Sequence, residues 1–322
     1  MNSEEFDKRD EDVVVITDVE EVAPESEQSG AEEPQKGSSE EPNRAGEKII
    51  LEPEKSEKKG RPFPGWMDLF STAGVFLFSA LLGGIILMIM MKARGVEAPT
   101  PDMTFVSYLV QILPVVVFLV ILRRKAGRGN AIHLGLRRVN MPMVLWGVLL
   151  LMATGVVVEP ILALFPTEAY DGVKDVIGLG GWAILSAVVA APILEEVLFR
   201  GLIFESCRER FGRGAAVLIS ALLFGLIHVI PVQVINAFVV GLILGYVYLK
   251  TNSLLSVIIL HGVNNAIAYA TMALLGADAN VTLKEMISSS WLYWIIYALS
   301  AVLFIFAMLR LYRTLRDNTE VE

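Results

Sequence analysis

From about residue 66 onward the chain alternates long apolar runs with short polar stretches. Eight such runs lie at about 70–91, 104–122, 143–165, 181–207, 214–230, 232–249, 253–275 and 291–311. Most approach the roughly 20 residues that a membrane-spanning helix needs. The pattern predicts an all-α polytopic membrane protein of about eight transmembrane helices. Pro231 separates the fifth run from the sixth and suits the first turn of a new helix. Gly241 and Gly245 repeat at a spacing that lets two helices approach closely.

Composition agrees. The 322 residues are 54% hydrophobic and only 19% charged, too apolar for an ordinary soluble protein. The net charge of -8 belongs to the start of the chain, because residues 1–65 hold 19 acidic and 9 basic side chains. This stretch is rich in Glu, Ser, Pro, Gly and Lys and cannot bury enough apolar surface to offset the entropy of ordering. It reads as a disordered acidic cytoplasmic tail, with a short apolar patch at Val13 to Ile16 as a candidate docking motif. Residues 66–322 form the transmembrane helical domain. The first 60 residues lack a basic-then-apolar signal sequence, so insertion is expected to rely on the first membrane helix. Cys207 is the one cysteine, which excludes an intrachain disulfide and a Cys-rich metal site. His133 sits in a basic, amphipathic stretch and reads as interfacial, not catalytic.

Lys and Arg set the expected orientation. Arg123, Arg124, Lys125, Arg128, Arg137 and Arg138 follow the second run. Arg208, Arg210 and Arg213 follow the fourth, Lys250 the sixth, and Arg310, Arg313 and Arg316 the eighth. With eight alternating spans these fall on one side, so both termini are expected to be cytoplasmic. Such a protein would sit in the plasma membrane of a bacterial host.

The polar residues within the apolar runs carry the chemistry. A charge at bilayer depth costs at least ~2.5 kcal/mol and persists when it is paired or functional. Glu195, Glu196 and Arg200 occupy the fourth run. Glu196 and Arg200 are four apart and share a helix face, so they can form an ion pair. Glu195 is rotated about 100° away and has no basic residue at i+4. Phe224 and His228 share a face on the fifth run, and His261 and Asn265 share one on the seventh. At 1.5 Å per residue, Glu195, His228, His261 and Asn265 lie roughly 18, 21, 12 and 18 Å from the cytoplasmic ends of their helices. Three helices thus place polar groups in one layer. Pro192 loosens the helix just before Glu195.

A carboxylate with an imidazole can deprotonate water, and a second imidazole with an amide can donate to a developing oxyanion. The same set could instead hold Zn²⁺ through Glu195, His228 and His261 with a position left for water. There is no His-Glu-x-x-His signature.

Glu-Glu-x-x-x-Arg at 195–200, Phe-x-x-x-His at 224–228 and His-x-x-x-Asn at 261–265 occur in that order on successive polar helices. The combination resembles the CPBP family. That family holds the CAAX prenyl endopeptidases (Rce1-like proteases) and bacteriocin-processing or immunity proteins, and is also called the Abi family. The resemblance covers about residues 140–275. It implies an intramembrane endopeptidase in which Glu195 is the base on water, assisted by His228. His261 and Asn265 would be oxyanion donors, with Glu196, Arg200 and Phe224 in support and no cofactor. The zinc-dependent version of the same protease stays open. The expected partners are a membrane-associated peptide or protein substrate, of CAAX or bacteriocin type, and the lipid bilayer, with no nucleic acid. Two other readings use the same residues. A proton-coupled transporter could relay protons through Glu195, His228 and His261, but it should show a repeated half, and none is visible. A non-catalytic scaffold or immunity protein would have no need of the full motif set.

Overall fold

The computed structural model describes residues 63–127, 139–165, 178–275, 283–287 and 289–319, and its described elements are all helical. The acidic tail through residue 62 and His133 lie outside the described residues. In chain order the helices are α1 (Trp66–Arg94), α2 (Pro101–Lys125), α3 (Met141–Leu162) and α4 (Gly181–Phe211). They continue with α5 (Arg213–Leu226), α6 (Pro231–Thr251), α7 (Leu254–Leu275), the short α8 (Leu283–Met286) and α9 (Ser290–Thr319).

Seven of these are long and apolar enough to cross a membrane. Besides the four-residue α8, the exception is α5, expected as a full span over 214–230. It has 14 residues, about 21 Å of helix, and stops at Leu226. Its connection to α6 explains why the overall path is unaffected. A Cβ on Gly225 would lie 2.8 Å from the Val234 carbonyl oxygen, one on Gly241 3.1 Å from the Ala221 Cα, and one on Gly245 3.4 Å from a Val217 methyl. The pairing runs 225 with 234, 221 with 241 and 217 with 245, so α5 and α6 are antiparallel along their length. The hairpin therefore returns the chain to the side it left. The glycines make this approach affordable to the backbone, as the small-residue spacing at 241 and 245 predicts.

Pro231 opens α6 at its first turn, as expected. The residue before the turn, Val229, has φ +64°. A β-branched side chain in that region is strained, a feature typical of functional turns.

Buried residues of α3, α4, α5, α6, α7 and α9 form one apolar core that includes Phe204, Leu244, Val247, Leu254 and Leu260. A second cluster joins α2 to α4 and α5 through Ile112, Val115, Leu198, Phe199, Leu202 and Phe224. The outward faces remain apolar, with Leu77, Phe78, Met88, Leu299 and Val302 exposed, as lipid contact requires. Trp66, Trp291 and Trp294 are also exposed, near helix starts, which suits an interfacial belt.

One basic residue departs from its expected place. Arg123 does not join the basic loop after α2. It is still helical and buried, donates to Ser206 Oγ at 3.0 Å, and pairs with Glu209 at 2.6 Å. Beside it Tyr248 donates to Glu205 at 2.8 Å, and Arg208 pairs with Glu205 at 2.6 Å. This network locks α2, α4 and α6 together near the end of α4.

Candidate active site

The backbone of α4 is not a uniform α-helix. Leu185–Ala190 and Val197–Phe204 are π-helical, with the α-helical turns of Ala191–Glu196 between them. Pro192 explains one consequence. In the first π stretch the Ala191 N–H donates to the Ser186 carbonyl, five residues back. The next donor in that register would be Pro192, which has no N–H to offer Ala187. The Asn265 side chain fills the gap and donates from Nδ2 to the Ala187 carbonyl at 2.9 Å. Asn265 is thus tethered to the break in α4. π-Helical turns inside α-helices recur at functional sites.

The two carboxylates that follow have different environments. Glu196 is fully buried. Its Oε1 accepts from Arg200 Nη1 at 2.8 Å and from His261 Nδ1 at 2.9 Å. An ionised carboxylate only accepts, so the His261 Nδ1 carries the proton in that bond. Arg200, also fully buried, donates from Nη2 to the Gly241 carbonyl at 2.9 Å and stacks over the Phe224 ring at 4.8 Å. The expected ion pair is present, and its second partner, His261, was not anticipated.

Among the described residues no guanidinium or ammonium lies within ion-pair distance of Glu195, although the charge of Arg200 is close enough to be felt. Tyr108 of α2 donates to its Oε1 at 3.2 Å, and His261 Nε2 stands 3.9 Å from its Oε2. That separation is too long for a direct hydrogen bond. An oxygen atom placed beside both could lie within bonding range of each. Glu195 is 7% exposed, Glu196 0%. The freer carboxylate is the one the sequence singles out.

His228 sits differently from expectation. It lies just past the end of α5, not on its face. The last carbonyls of a helix lack intrahelical donors. The Ile227 and His228 N–H groups bond to Leu223 and Gly225, which leaves Phe224 O without a backbone donor. His228 Nδ1 donates to it at 2.9 Å. The side chain makes no direct contact with Glu195. The ring packs edge-on against Phe224 at 5.2 Å, and His261 packs on the same ring at 5.5 Å. Phe224, 1% exposed, therefore separates and orients the two imidazoles.

The structure thus brings Glu195, Glu196, Arg200, Phe224, His228 and His261 into one cluster, with Asn265 at its edge. Sequence reasoning missed Tyr108, one of a few polar side chains, with Thr104, Ser107 and Gln111, in a mostly apolar α2. It also missed the backbone carbonyls of Ala187 and Gly241, which no side-chain pattern reveals. For the zinc alternative, among the described residues no group of three or more His, Cys, Asp or Glu side chains is arranged to hold a metal ion. His261 offers only Nε2, because Glu196 engages Nδ1, and His228 offers only Nε2, because the Phe224 carbonyl engages its Nδ1.

Residues 178–267 match the family model described as Type II CAAX prenyl endopeptidase Rce1-like. This segment is Rce1-like. The match spans α4, α5, α6 and most of α7, and it contains every residue of the cluster except Tyr108. It is narrower than the 140–275 expected from the motifs and leaves out α3. No curated protein and no solved structure matches the chain. The apolar helices identify an integral membrane protein, and residues 178–267 within it are similar to this endopeptidase family.

The Arg200 contacts generate a stability prediction. Removing one member of a buried ion pair typically costs ~3–5 kcal/mol. Arg200→Ala should sharply lower the folded yield and the unfolding temperature in detergent. Arg200→Lys should recover only part of either, because an ammonium cannot reproduce the planar fork that joins Glu196 to the Gly241 carbonyl. Wild-type thermal stability in Arg200→Ala would show that the pair does not hold the bundle.

Proposed function

We propose that the protein is an intramembrane endopeptidase that hydrolyses a peptide bond in a membrane-associated substrate of CAAX or bacteriocin type, with water activated by Glu195. The observation that carries this reading is the division between the two carboxylates. Glu196 is held through Oε1 by both Arg200 and His261, while Glu195 has a phenol on one oxygen and His261 Nε2 at 3.9 Å from the other, beyond direct bonding range.

In this scheme a water beside Glu195 Oε2 gives its proton to the carboxylate as its oxygen attacks the scissile carbonyl carbon. The carbonyl oxygen becomes an oxyanion. His261, fixed by Glu196 through Nδ1, donates to it when Nε2 is protonated, and the second amide hydrogen of Asn265 is the other donor. The C–N bond then breaks and Glu195 returns the proton to the leaving amine. The products are a carboxylate and an amine. His228 assists by its position, since its Nε2 remains available for the water or the substrate. Tyr108 orients Glu195.

The donor arrangement favours the metal-free form. Glu195→Gln should preserve the fold, because size and most hydrogen bonding are kept, yet abolish turnover, because an amide cannot take the proton. His261→Ala should lower the rate of the chemical step by ~10²–10³ as an oxyanion donor. Cleavage by purified protein should survive chelation. Loss of cleavage on stripping and its return with Zn²⁺ would assign Glu195, His228 and His261 as ligands instead.

The antiparallel α5–α6 hairpin supports an even number of passes and hence cytoplasmic placement of both termini, in line with the Lys and Arg bias. Reporter fusions after Arg316 and within 166–178 should report opposite sides of the membrane. The same side for both would contradict this path.

A further inference from the structure

A cavity of about 220 Å³ opens between α3, α6 and α7, and its lining includes Asn264, next in the chain to Asn265. Val148, Leu151, Val240 and Ile267 form its apolar walls, and the carboxamides of Asn236 and Asn264 line it as well. Asn236 has no side-chain hydrogen bond to any described residue. Asn264 makes one long bond, donating to Asn265 Oδ1 at 3.4 Å. Polar groups inside a membrane bundle are costly unless they are satisfied. Two under-satisfied carboxamides facing one groove between membrane-spanning helices therefore call for a polar occupant.

We propose that this groove is a substrate subsite, in which Asn236 and Asn264 hydrogen-bond one backbone peptide unit of the substrate and the apolar walls receive its neighbouring side chain. The inference rests on the endopeptidase reading. A carboxamide carries both a donor and an acceptor, so two of them match the C=O and N–H of a peptide unit. A lipid tail offers neither group and would leave both unpaired. The volume lies below that of a typical drug-sized pocket, which suits a single residue and not a whole ligand. Position agrees. Asn264 lies three residues from His261 on α7, an axial rise of about 4.5 Å. It touches Asn265, which is tied to the Ala187 break in α4.

The test uses full-length protein in detergent, with Glu195→Gln to prevent turnover. The probe is a fluorescent peptide ending in a prenylated Cys-aliphatic-aliphatic-X sequence. A series of analogues replaces one backbone N–H at a time with an ester oxygen. Asn236→Ala and Asn264→Ala should each weaken binding by about fivefold to tenfold, the worth of a net hydrogen bond. One ester position should cost a similar factor with both asparagines present and almost nothing in one of the alanine variants, a non-additive cycle. Gly155→Leu fills the groove from a glycine whose added Cβ meets no atom within 4 Å, and its folding is checked by its unfolding temperature. It should also weaken binding. With Glu195 restored, the asparagine losses should appear mainly in KM. Unchanged peptide affinity in both asparagine variants, while wild type still cleaves the peptide, would overturn the subsite alone. Failure of wild type to bind or cleave the peptide would overturn the endopeptidase reading for this substrate class and the subsite with it.

Discussion

Glu196 Oε1 accepts from Arg200 and His261 at once, with no exposure to solvent. Burying a carboxylate and a guanidinium in a membrane bundle carries a desolvation cost of several kcal/mol per ion. That cost is offset in part by the partners the pair finds, although Arg200 Nε and Glu196 Oε2 are buried with no hydrogen-bond partner among the described residues. Arg200 uses its second amino group on the Gly241 carbonyl and its face on Phe224. One carboxylate thereby joins α4 to α7 directly, and reaches α6 and α5 through Arg200, by way of the Gly241 carbonyl and the Phe224 ring. Arg200 and His261 thus hold Glu196 through Oε1, and the proposed reaction uses its neighbour Glu195 instead.

A second feature recurs across the site. Three of its polar side chains are anchored on backbone carbonyls of other residues: Asn265 on Ala187, His228 on Phe224, and Arg200 on Gly241. Two of these carbonyls lack a backbone donor, one through Pro192 and the π-helical register, the other through the end of α5. The departures from regular helix are therefore what position the side chains. Fixing side chains by backbone bonds reduces the reorganisation needed when charge develops during a reaction.

Much of this was legible in the sequence because polar residues are conspicuous in apolar runs. The helical class, seven of the eight spans, the Glu196–Arg200 pair and the close approach at Gly241 and Gly245 all follow from spacing and side-chain size. The length of α5 was not legible. Leu226 to Ile230 is apolar enough to continue the helix, and the strained turn at Val229 leaves no Gly or Asn as a sign. The His261–Glu196 bond was also hidden, since periodicity places residues on a face but does not say which facing carboxylate a ring will choose. Arg123 looked like a loop charge because its partners, Ser206 and Glu209, lie more than 80 positions away in the chain. Tyr108 was masked for the same reason.

The most direct test of this account reads the proton on His261. The chain has 3 histidines, so ¹⁵N spectra of histidine-labelled protein can be assigned with single substitutions at His133 and His228. If Glu196 fixes the ring, His261 Nδ1 carries a hydrogen-bonded proton, and replacing Glu196 with Gln changes that signal while Glu195→Gln leaves it in place. A His261 ring whose Nδ1 is unprotonated, or whose Nδ1 signal responds to Glu195 and not to Glu196, would contradict the division of labour between the two carboxylates.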